Sequence, residues 1–202
     1  DGTVEVSNST FADNSANTGG GIYSNYGGTL TVSNSTFSGN RSNYGDGGGG
    51  IYSGYNSTLT VSNSTFTGNS ANRDGGGISH VGSDTVTLQN TIVANSPSGG
   101  NCTGVITDGG GNLSYPDTSC PGVNADPLLG PLQDNGGPTW TMEPGPGSPA
   151  INAGDAAACA TPPVNNLDQR GVIRPVGPRC DMGAVEVNYL PVRTWLPLLL
   201  AQ

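Results

Sequence analysis

The sequence predicts an all-β fold, a parallel β-helix, from three observations: an internal repeat, an alternation of apolar and polar residues, and a composition rich in glycine. The chain has 202 residues, of which 34 are Gly and 15 are Pro. The combined share of Gly and Pro lies near the level at which chains without a sequence pattern are disordered. A regular pattern is therefore needed to place this chain among folded proteins. The repeat supplies one.

One hexapeptide, Val-Ser-Asn-Ser-Thr-Phe, occurs three times in the first third of the chain, at residues 6–11, 32–37 and 61–66. We align a degenerate fourth copy, Leu-Gln-Asn-Thr-Ile at residues 88–92, with one residue dropped, which puts Ile92 at the position of the three phenylalanines. A second signature, Gly-Gly-Ile, recurs between the copies, at residues 20–22, 49–51 and 76–78. Internal periods of 20 to 50 residues are typical of stacked structural units.

Apolar and polar residues alternate within each copy, as in Leu30-Thr31-Val32 and Leu59-Thr60-Val61. This alternation predicts strands with one buried face. Helical spacing of apolar residues is missing, and Gly or Asn interrupts every window of a dozen residues. Each copy therefore predicts about three short strands, and stacked copies place equivalent strands ~4.8 Å apart. A β-propeller is the alternative, but its blades need about 40 or more residues.

Two columns of equivalent side chains follow from this stacking. The position that ends the hexapeptide predicts an inward apolar column of Phe11, Phe37, Phe66 and Ile92. The position three residues later predicts a ladder of hydrogen-bonded amides formed by Asn14, Asn40, Asn69 and Asn95. Stacked Asn side chains can bond along the axis, and Asn tolerates the left-handed backbone of a turn.

The combination of Gly-Gly-Ile with Phe-x-x-Asn, over roughly residues 1 to 95, resembles the right-handed parallel β-helix repeats of bacterial surface proteins, including polymorphic outer-membrane protein repeats. The remainder resembles the C-terminal part of choice-of-anchor Q proteins. Five motifs carry this second resemblance: Ala-Asp-Pro-Leu-Leu-Gly-Pro-Leu at 125–132, Asn-Gly-Gly-Pro-Thr at 135–139, Gly-Ser-Pro-Ala-Ile-Asn-Ala-Gly-Asp at 147–155, Asp-Gln-Arg-Gly at 168–171 and Cys-Asp-Met-Gly-Ala-Val-Glu at 180–186. The resemblance implies a secreted, surface-displayed β-helix with no agreed activity.

We therefore predict three regions. Residues 1–100 form a right-handed parallel β-helix of about four coils. Residues 101–186 form an irregular, disulfide-bonded region that continues or caps the solenoid, and residues 187–202 form an apolar extended tail.

Four cysteines are present, and none of their spacings indicates zinc or redox chemistry. Three pairings are possible. We favour the two local ones, Cys102 with Cys120 and Cys159 with Cys180, because each closes a loose Gly- and Pro-rich loop. In the chain-entropy model such a closure stabilises the fold by ~3 kcal/mol. Paired cysteines also favour an oxidising, extracellular compartment.

The two ends of the sequence predict an assembly. The chain opens in mid-coil, so the first coil should present an uncapped edge at Val4 and Val6. No signal peptide is seen, which favours a processed form or an excerpt of a longer chain. Residues 187–202 are the most apolar stretch, but Pro191, Arg193 and Pro197 interrupt it, which excludes a membrane-spanning helix.

Three interpretations of this tail stay open: an extended segment packed on its own solenoid, a sorting or anchoring tail as the family name implies, and a strand donated to a neighbouring molecule. Donation would be a heterologous contact that does not close, and it would therefore build a filament. The apolar residues that would make this contact are Tyr189, Leu190, Trp195, Leu196, Leu198, Leu199 and Leu200.

The net charge and the candidate site residues exclude several classes of function. The formal charge is −9 and Lys is absent, which excludes nucleic-acid binding and disfavours acidic membranes. Asp46, Asp74 and Asp108 precede Gly runs without the array that calcium β-rolls need, so no metal or cofactor is predicted. No carboxylates converge as in β-helix lyases or glycosidases, and His80 is expected to be an isolated, exposed residue.

Two surface features remain. Exposed tyrosines at positions 23, 26, 44, 52 and 55 suggest glycan binding. The motif Asn-x-Ser/Thr occurs seven times, and Asn56, in a loop, is the best candidate for glycosylation. We predict a secreted, non-catalytic structural protein that self-assembles head to tail by coil stacking and strand donation. The alternatives are a monomeric adhesin or glycan-binding module and, third, a polysaccharide lyase or hydrolase.

Overall fold

A computed structural model describes residues 2–188. Its strands, in chain order, are β1 (Thr3–Ser7), β2 (Thr10–Ala12), β3 (Ser15–Ala16), β4 (Ile22–Ser24), β5 (Thr29–Ser33), β6 (Thr36–Ser38), β7 (Arg41–Ser42), β8 (Ile51–Ser53), β9 (Thr58–Ser62), β10 (Thr65–Thr67), β11 (Ser70–Ala71), β12 (Ile78–His80), β13 (Val86–Gln89), β14 (Ile92–Ala94), β15 (Cys102–Thr103), β16 (Ile106–Asp108), β17 (Leu113–Tyr115) and β18 (Val123–Asn124). One short helix, α1, spans Ala156–Ala160.

The strands form a parallel solenoid of about four coils, as predicted. Sheet I has the order β1-β5-β9-β13-β16, and sheet II has the order β2-β6-β10-β14-β17-β18. Sheet III is β3-β7-β11, and sheet IV is β4-β8-β12-β15. Every strand pair is parallel, and each strand bonds to its equivalent in the next coil.

The alternation in the sequence decides which side chains form the core. Leu30 and Val32 are buried inside the solenoid, whereas Thr29 and Thr31, which alternate with them, face outward. The Gly-Gly-Ile signature marks a close approach of neighbouring coils. A Cβ on Gly50 would lie 2.5 Å from the carbonyl oxygen of Gly77, which is closer than real Cβ atoms come, so only Gly fits there.

The aromatic column is present for three coils. The rings of Phe11 and Phe37 stack with centroids 4.7 Å apart, and those of Phe37 and Phe66 with centroids 4.4 Å apart. The prediction of Ile92 as the fourth member of this column was wrong. Phe66 pairs with Val93, while Ile92 pairs with Thr65 on the outer side of sheet II. No residue is dropped in the fourth copy; valine simply replaces phenylalanine at the inward position.

The same one-residue misalignment makes the prediction of the amide ladder wrong at its fourth position. Asn14 Nδ2 donates to Asn40 Oδ1 at 2.9 Å, and Asn40 Nδ2 donates to Asn69 Oδ1 at 3.0 Å. Asn95 does not continue this ladder. It is exposed and has a φ of 57°, so it occupies the left-handed turn position that precedes the ladder residue, where the second and third coils use glycine. In the fourth coil, Asn101 Oδ1 instead accepts from the backbone N–H of Ser96.

Residues 125–188, here called the C-terminal cover, run back along the outer side of sheet II. Thr36 Oγ1 donates to Gln169 Oε1 at 2.6 Å, and the backbone N–H of Ala184 donates to Thr65 Oγ1 at 3.0 Å. Near the first coil, Thr10 Oγ1 donates to the carbonyl of Trp140. The cover therefore buries one side of the solenoid from the fourth coil to the first, and Ile92 packs beneath it with Met182.

Both disulfides join the local partners. Cys102 is bonded to Cys120, which closes the end of the solenoid, and Cys159 is bonded to Cys180 within the cover. Asp155 caps α1 by accepting from the backbone N–H of Ala158. The tail residues predicted to mediate assembly, from Tyr189 to Leu200, lie outside the described residues.

Candidate interaction surfaces

The first coil of the structure is open. Among residues 2–188, strands β1 to β4 pair with the second coil on one edge only. The inward columns begin here with Val4, Val6, Phe11 and Ile22, and Val4 is 55% exposed. A cavity of about 180 Å³ lies between Val4, Ile22 and Leu30. The end of the apolar core is thus exposed beside a row of unpaired backbone groups, which is a template for a further strand.

The other end of the solenoid is closed by polar groups. The column that begins with Val6 passes through Leu88 to Asp108, whose Oδ1 accepts from the backbone N–H of Gly110 and from Asn112 Nδ2. The aromatic column passes through Val93 and Ser114 to Asn124. A first coil stacked on this end would bury the Asp108 carboxylate, which is costly. Coil-on-coil stacking therefore does not suit this end.

A row of tyrosines lies on the outer side of sheet IV. Tyr23 and Tyr52 are equivalent residues of β4 and β8, and their rings stack with centroids 5.2 Å apart. Tyr52 points outward but is buried: the Tyr23 ring stacks on it, and Asp46 lies beside its hydroxyl. Burial and the nearby Asp46 carboxylate raise the pKa of Tyr52 to about 12.

Loops on both sides of this row carry further tyrosines. Tyr26 and Tyr55 lie in the turns after β4 and β8, and the backbone N–H of Tyr26 donates to the carbonyl of Tyr55 at 3.0 Å. Tyr44 lies in the loop before β8. These three side chains are 75%, 53% and 72% exposed, respectively. We call the five residues Tyr23, Tyr26, Tyr44, Tyr52 and Tyr55 the tyrosine face.

Polar groups accompany the tyrosine face. Asn25 Nδ2 donates to the Tyr23 hydroxyl at 2.6 Å. The Tyr52 hydroxyl contacts Asp46 Oδ2 at 3.5 Å, and Arg73 lies 3.6 Å from the same carboxylate. Both partners of this ion pair are exposed, so it adds little to stability.

A buried ionic cluster, which the sequence did not reveal, lies in the cover. Arg174 is fully buried and donates to the carbonyls of Asp181, Gly183 and Ala184. Burial lowers the pKa of Arg174 and raises the pKa values of the Asp181 and Glu186 carboxyls. Because these carboxylates accept backbone N–H groups and are buried, they hold the cover together and are closed to a substrate.

A cleft of about 310 Å³ separates this cover from the first two coils, near Asn8 and Asn34. Arg170 on its wall is already paired, at 2.8 Å with Asp168 and at 2.6 Å with Glu143. Within residues 2–188, no three His, Cys, Asp or Glu side chains are placed to share a metal ion. The charged side chains that line the cleft, Asp168 and Arg170, are thus paired with each other.

His80 is not exposed, contrary to expectation. It is buried in β12, with Nδ1 3.1 Å from the carbonyl of Ser53 and Nε2 3.1 Å from the carbonyl of Asp84. Of the seven sequon asparagines, the structure exposes Asn8 and Asn56. The five others are buried: Asn34, Asn40, Asn63, Asn101 and Asn112. Asn56 therefore stays the predicted glycosylation site, in the turn beside Tyr55.

Comparison with known families identifies the repeats. The model of the right-handed beta helix region matches residues 1–115, which is more than half of the chain. The chain belongs to the right-handed beta helix family. This family includes both enzymes and non-enzymes, so membership alone does not assign an activity. Neither the curated proteins nor the solved structures yielded a match.

The family assignment covers the β-helix repeats. The likeness of residues 125–186 to choice-of-anchor Q proteins stays a prediction. A β-helix with two disulfides is compatible with an extracellular location. In the part of the chain that the structure describes, no helix has the length and apolar character needed to cross a bilayer.

Proposed function

We propose that this β-helix protein is a non-catalytic structural component of the bacterial surface or extracellular matrix, and that its molecules assemble head to tail. One observation carries the proposal: within residues 2–188 the first coil is an open apolar template, whereas the other end of the solenoid is closed by Asp108 and Asn124. Among residues 2–188, the edge of the first coil can therefore accept a further strand, and the closed end argues against stacking of whole coils.

The donor that we propose is the tail of a second molecule, residues 189–202. The backbone carbonyl of Glu186 accepts from Arg170 Nη2, and Gln169 Nε2 in turn donates to the carbonyl of Ser9 in the first coil. The chain therefore leaves the cover on the side that touches the first coil. Fourteen further residues can extend by ~45 Å, which suffices to reach a neighbouring molecule.

The composition of this segment suits the acceptor. In an extended strand, Leu196, Leu198 and Leu200 would point to one side. That side can cover the inward columns that begin with Val4 and Val6, while the strand backbone pairs with the free edge of β1. The contact is heterologous and does not close on itself, so repetition produces a filament.

The non-catalytic assignment is supported by the acidic and basic groups of the described residues. The carboxylates that come together are those of the cover, and they are buried and bonded to backbone N–H groups or arginines. General acid–base chemistry needs a carboxylate within reach of a bound substrate. A saturated, enclosed carboxylate does not meet that need.

The test measures molar mass by light scattering, and particle shape by electron microscopy, as a function of protein concentration. We expect the intact chain to form filaments or concentration-dependent oligomers. Val4→Asp should abolish them, because it places a charge in the acceptor column. Thr3→Asp is the matched control: it adds the same charge to the same strand, but on the outward side, and should assemble normally.

A second set of variants identifies the donor. Leu198→Asp should block assembly and be rescued by mixing with intact protein that supplies a normal tail. If the intact chain is monomeric at every concentration, the assembly proposal is wrong. If it is monomeric while Leu198→Asp aggregates, the tail covers its own first coil, and donation to a neighbour is equally wrong.

A glycan-binding surface module is the second candidate function. It is favoured by the tyrosine face, where Tyr26, Tyr44 and Tyr55 are more than half exposed in turns and loops of the first two coils. Such a protein could be monomeric, and it would show saturable binding to a polysaccharide.

A further inference from the structure

We infer that the tyrosine face is a binding site for a neutral polysaccharide, which lies along the solenoid axis across the first two coils. The inference rests on the second candidate function and gives it a site and a ligand class. It does not depend on assembly, because the ligand contacts the outward side of sheet IV, whereas the proposed donor strand pairs with the free edge of β1 in sheet I.

The first argument concerns the exposed aromatic area. Large apolar side chains that are exposed singly are normal, but a contiguous group of them marks a binding surface. Tyr26 and Tyr55 occupy equivalent turns of the first and second coils, which are joined by a backbone hydrogen bond, so the two exposed residues are neighbours along the axis. Tyr44 lies in the loop that precedes β8, two residues before Asp46, whose carboxylate contacts the Tyr52 hydroxyl. None of these three side chains is needed to fill the core.

The second argument concerns rigidity. Tyr23 stacks on Tyr52 with an interplanar angle of 6°, and its hydroxyl is held by Asn25. Tyr52 is buried and contacts Asp46. These contacts fix the floor of the face before a ligand arrives. Tyrosine provides a large, amphipathic contact area with little loss of conformational entropy, and a preformed surface reduces the cost of binding further.

The third argument concerns the polar groups around the rings. Asn25, Asp46 and Arg73 supply donors and acceptors on both sides of the row, and the exposed Asp46–Arg73 pair can exchange its partner for a ligand hydroxyl at little cost. A few polar groups around an aromatic floor are what a polyhydroxylated ring requires, since one side of the ring is apolar and its rim is polar.

Charge decides between ligand classes. The chain has a formal charge of −9, and Asp74 lies beside Arg73 in the same loop, so an anionic polymer would be repelled. A peptide added by strand pairing would need a free sheet edge, whereas this face is formed by outward side chains. A neutral chain of sugars has neither conflict. Because Tyr26 and Tyr55 follow one another along the axis, such a chain would lie lengthwise.

The experiment measures binding of the full chain to soluble polysaccharides by affinity electrophoresis and calorimetry. The neutral probes are hydroxyethylcellulose, xyloglucan and dextran, and the anionic probe is polygalacturonate. We expect binding to at least one neutral probe. The double variant Tyr26→Ala with Tyr55→Ala should weaken it by about tenfold or more, as is typical for aromatic anchors. The control Trp140→Ala removes a comparably exposed aromatic ring, 59% exposed, from the cover and should bind normally.

The outcomes separate the site from the function. If the intact chain binds none of the neutral probes, both the second candidate function and this inference fail. If it binds one and the double variant binds equally well, glycan binding stands and the assignment of the site is wrong. Preference for polygalacturonate would overturn the ligand class. Circular dichroism of each variant shows whether a loss of binding reflects a loss of fold.

Discussion

The solenoid and its C-terminal cover pack their buried side chains in different ways. In the solenoid, each buried side chain packs against its own equivalent in the next coil, as Phe37 does against Phe66. In the cover, each contact is made once: a fully buried Arg174, a disulfide and a cluster of carboxylates. The comparison teaches that repetition distributes stability over neighbours, whereas the cover concentrates it in a few residues.

The two regions also satisfy buried polar groups differently. Asn40 receives hydrogen bonds from the coil before it and gives them to the coil after it, so that a single residue type repeated in register satisfies the ladder. Arg174 relies on carbonyls of three different residues of its own segment, and its Nε has no partner among residues 2–188. An irregular segment must assemble such partners without help from a repeat.

The largest effect is expected in the aromatic column. Phe66→Ala should lower the free energy of unfolding by about 3–5 kcal/mol, because it leaves a cavity between two coils. Phe11→Ala, at the half-buried end of the same column, should cost clearly less. Urea unfolding followed by circular dichroism measures both. Equal losses would show that position along the solenoid does not matter, and would contradict the account of the open end.

The second-largest effect on stability is expected from loss of the disulfide in the cover. Replacing both Cys159 and Cys180 by Ser is expected to cost roughly 3 kcal/mol in the chain-entropy model. The loss should be confined to the cover, so hydrogen exchange should increase over residues 150–186 and stay slow in β5 and β9. Loss of protection in these strands as well would mean that the two regions unfold as one unit.

The amide ladder gives a smaller effect. Asn40→Ala should cost about 1–3 kcal/mol, because it leaves Asn14 Nδ2 and the carbonyl of Phe11 without their partner. Asn14→Ala is the matched control at the exposed end and should cost less. Thermal unfolding of the two variants provides the measurement. The ladder is not cooperative if the two losses are the same.

The smallest effect is expected in the dependence of the stability of the cover on pH. Burial raises the pKa values of the Asp181 and Glu186 carboxyls in the folded protein. The folded state therefore favours their protonated forms, and this contribution to stability is lost as the pH rises from about 4 through the raised pKa values. Glu186→Gln should flatten the slope of melting temperature against pH over this range. An unchanged slope would remove Glu186 from the explanation.

The sequence alone was enough to predict the solenoid and the three aromatic residues of its inward column, but it indicated about three strands per copy, whereas the structure has four in each of the first three coils. A repeat states the same inward and outward pattern three times, and stacking then places equivalent residues together. It failed in the fourth copy, because Ile92 and Val93 are both apolar and either could stand for phenylalanine. Backbone register decides which of them faces inward, and the structure gives that position to Val93.

Disulfide pairing was also accessible from the sequence, since loop length favours the local partners, and the structure joins those partners. The position of the cover was not accessible. Its contacts join residues more than a hundred positions apart, such as Thr36 with Gln169, and no repeat or period relates them. The burial of Arg174 follows from that same docking.

What the sequence determined by itself was therefore the part of the protein in which each residue meets a copy of itself. Periodicity fixes such contacts, because the strand pattern and the length of the coil leave one way to stack them. The tertiary structure alone decided the side on which the cover lies and the closure of one end by Asp108. These depend on contacts between unlike segments, for which the sequence contains no repeated signal.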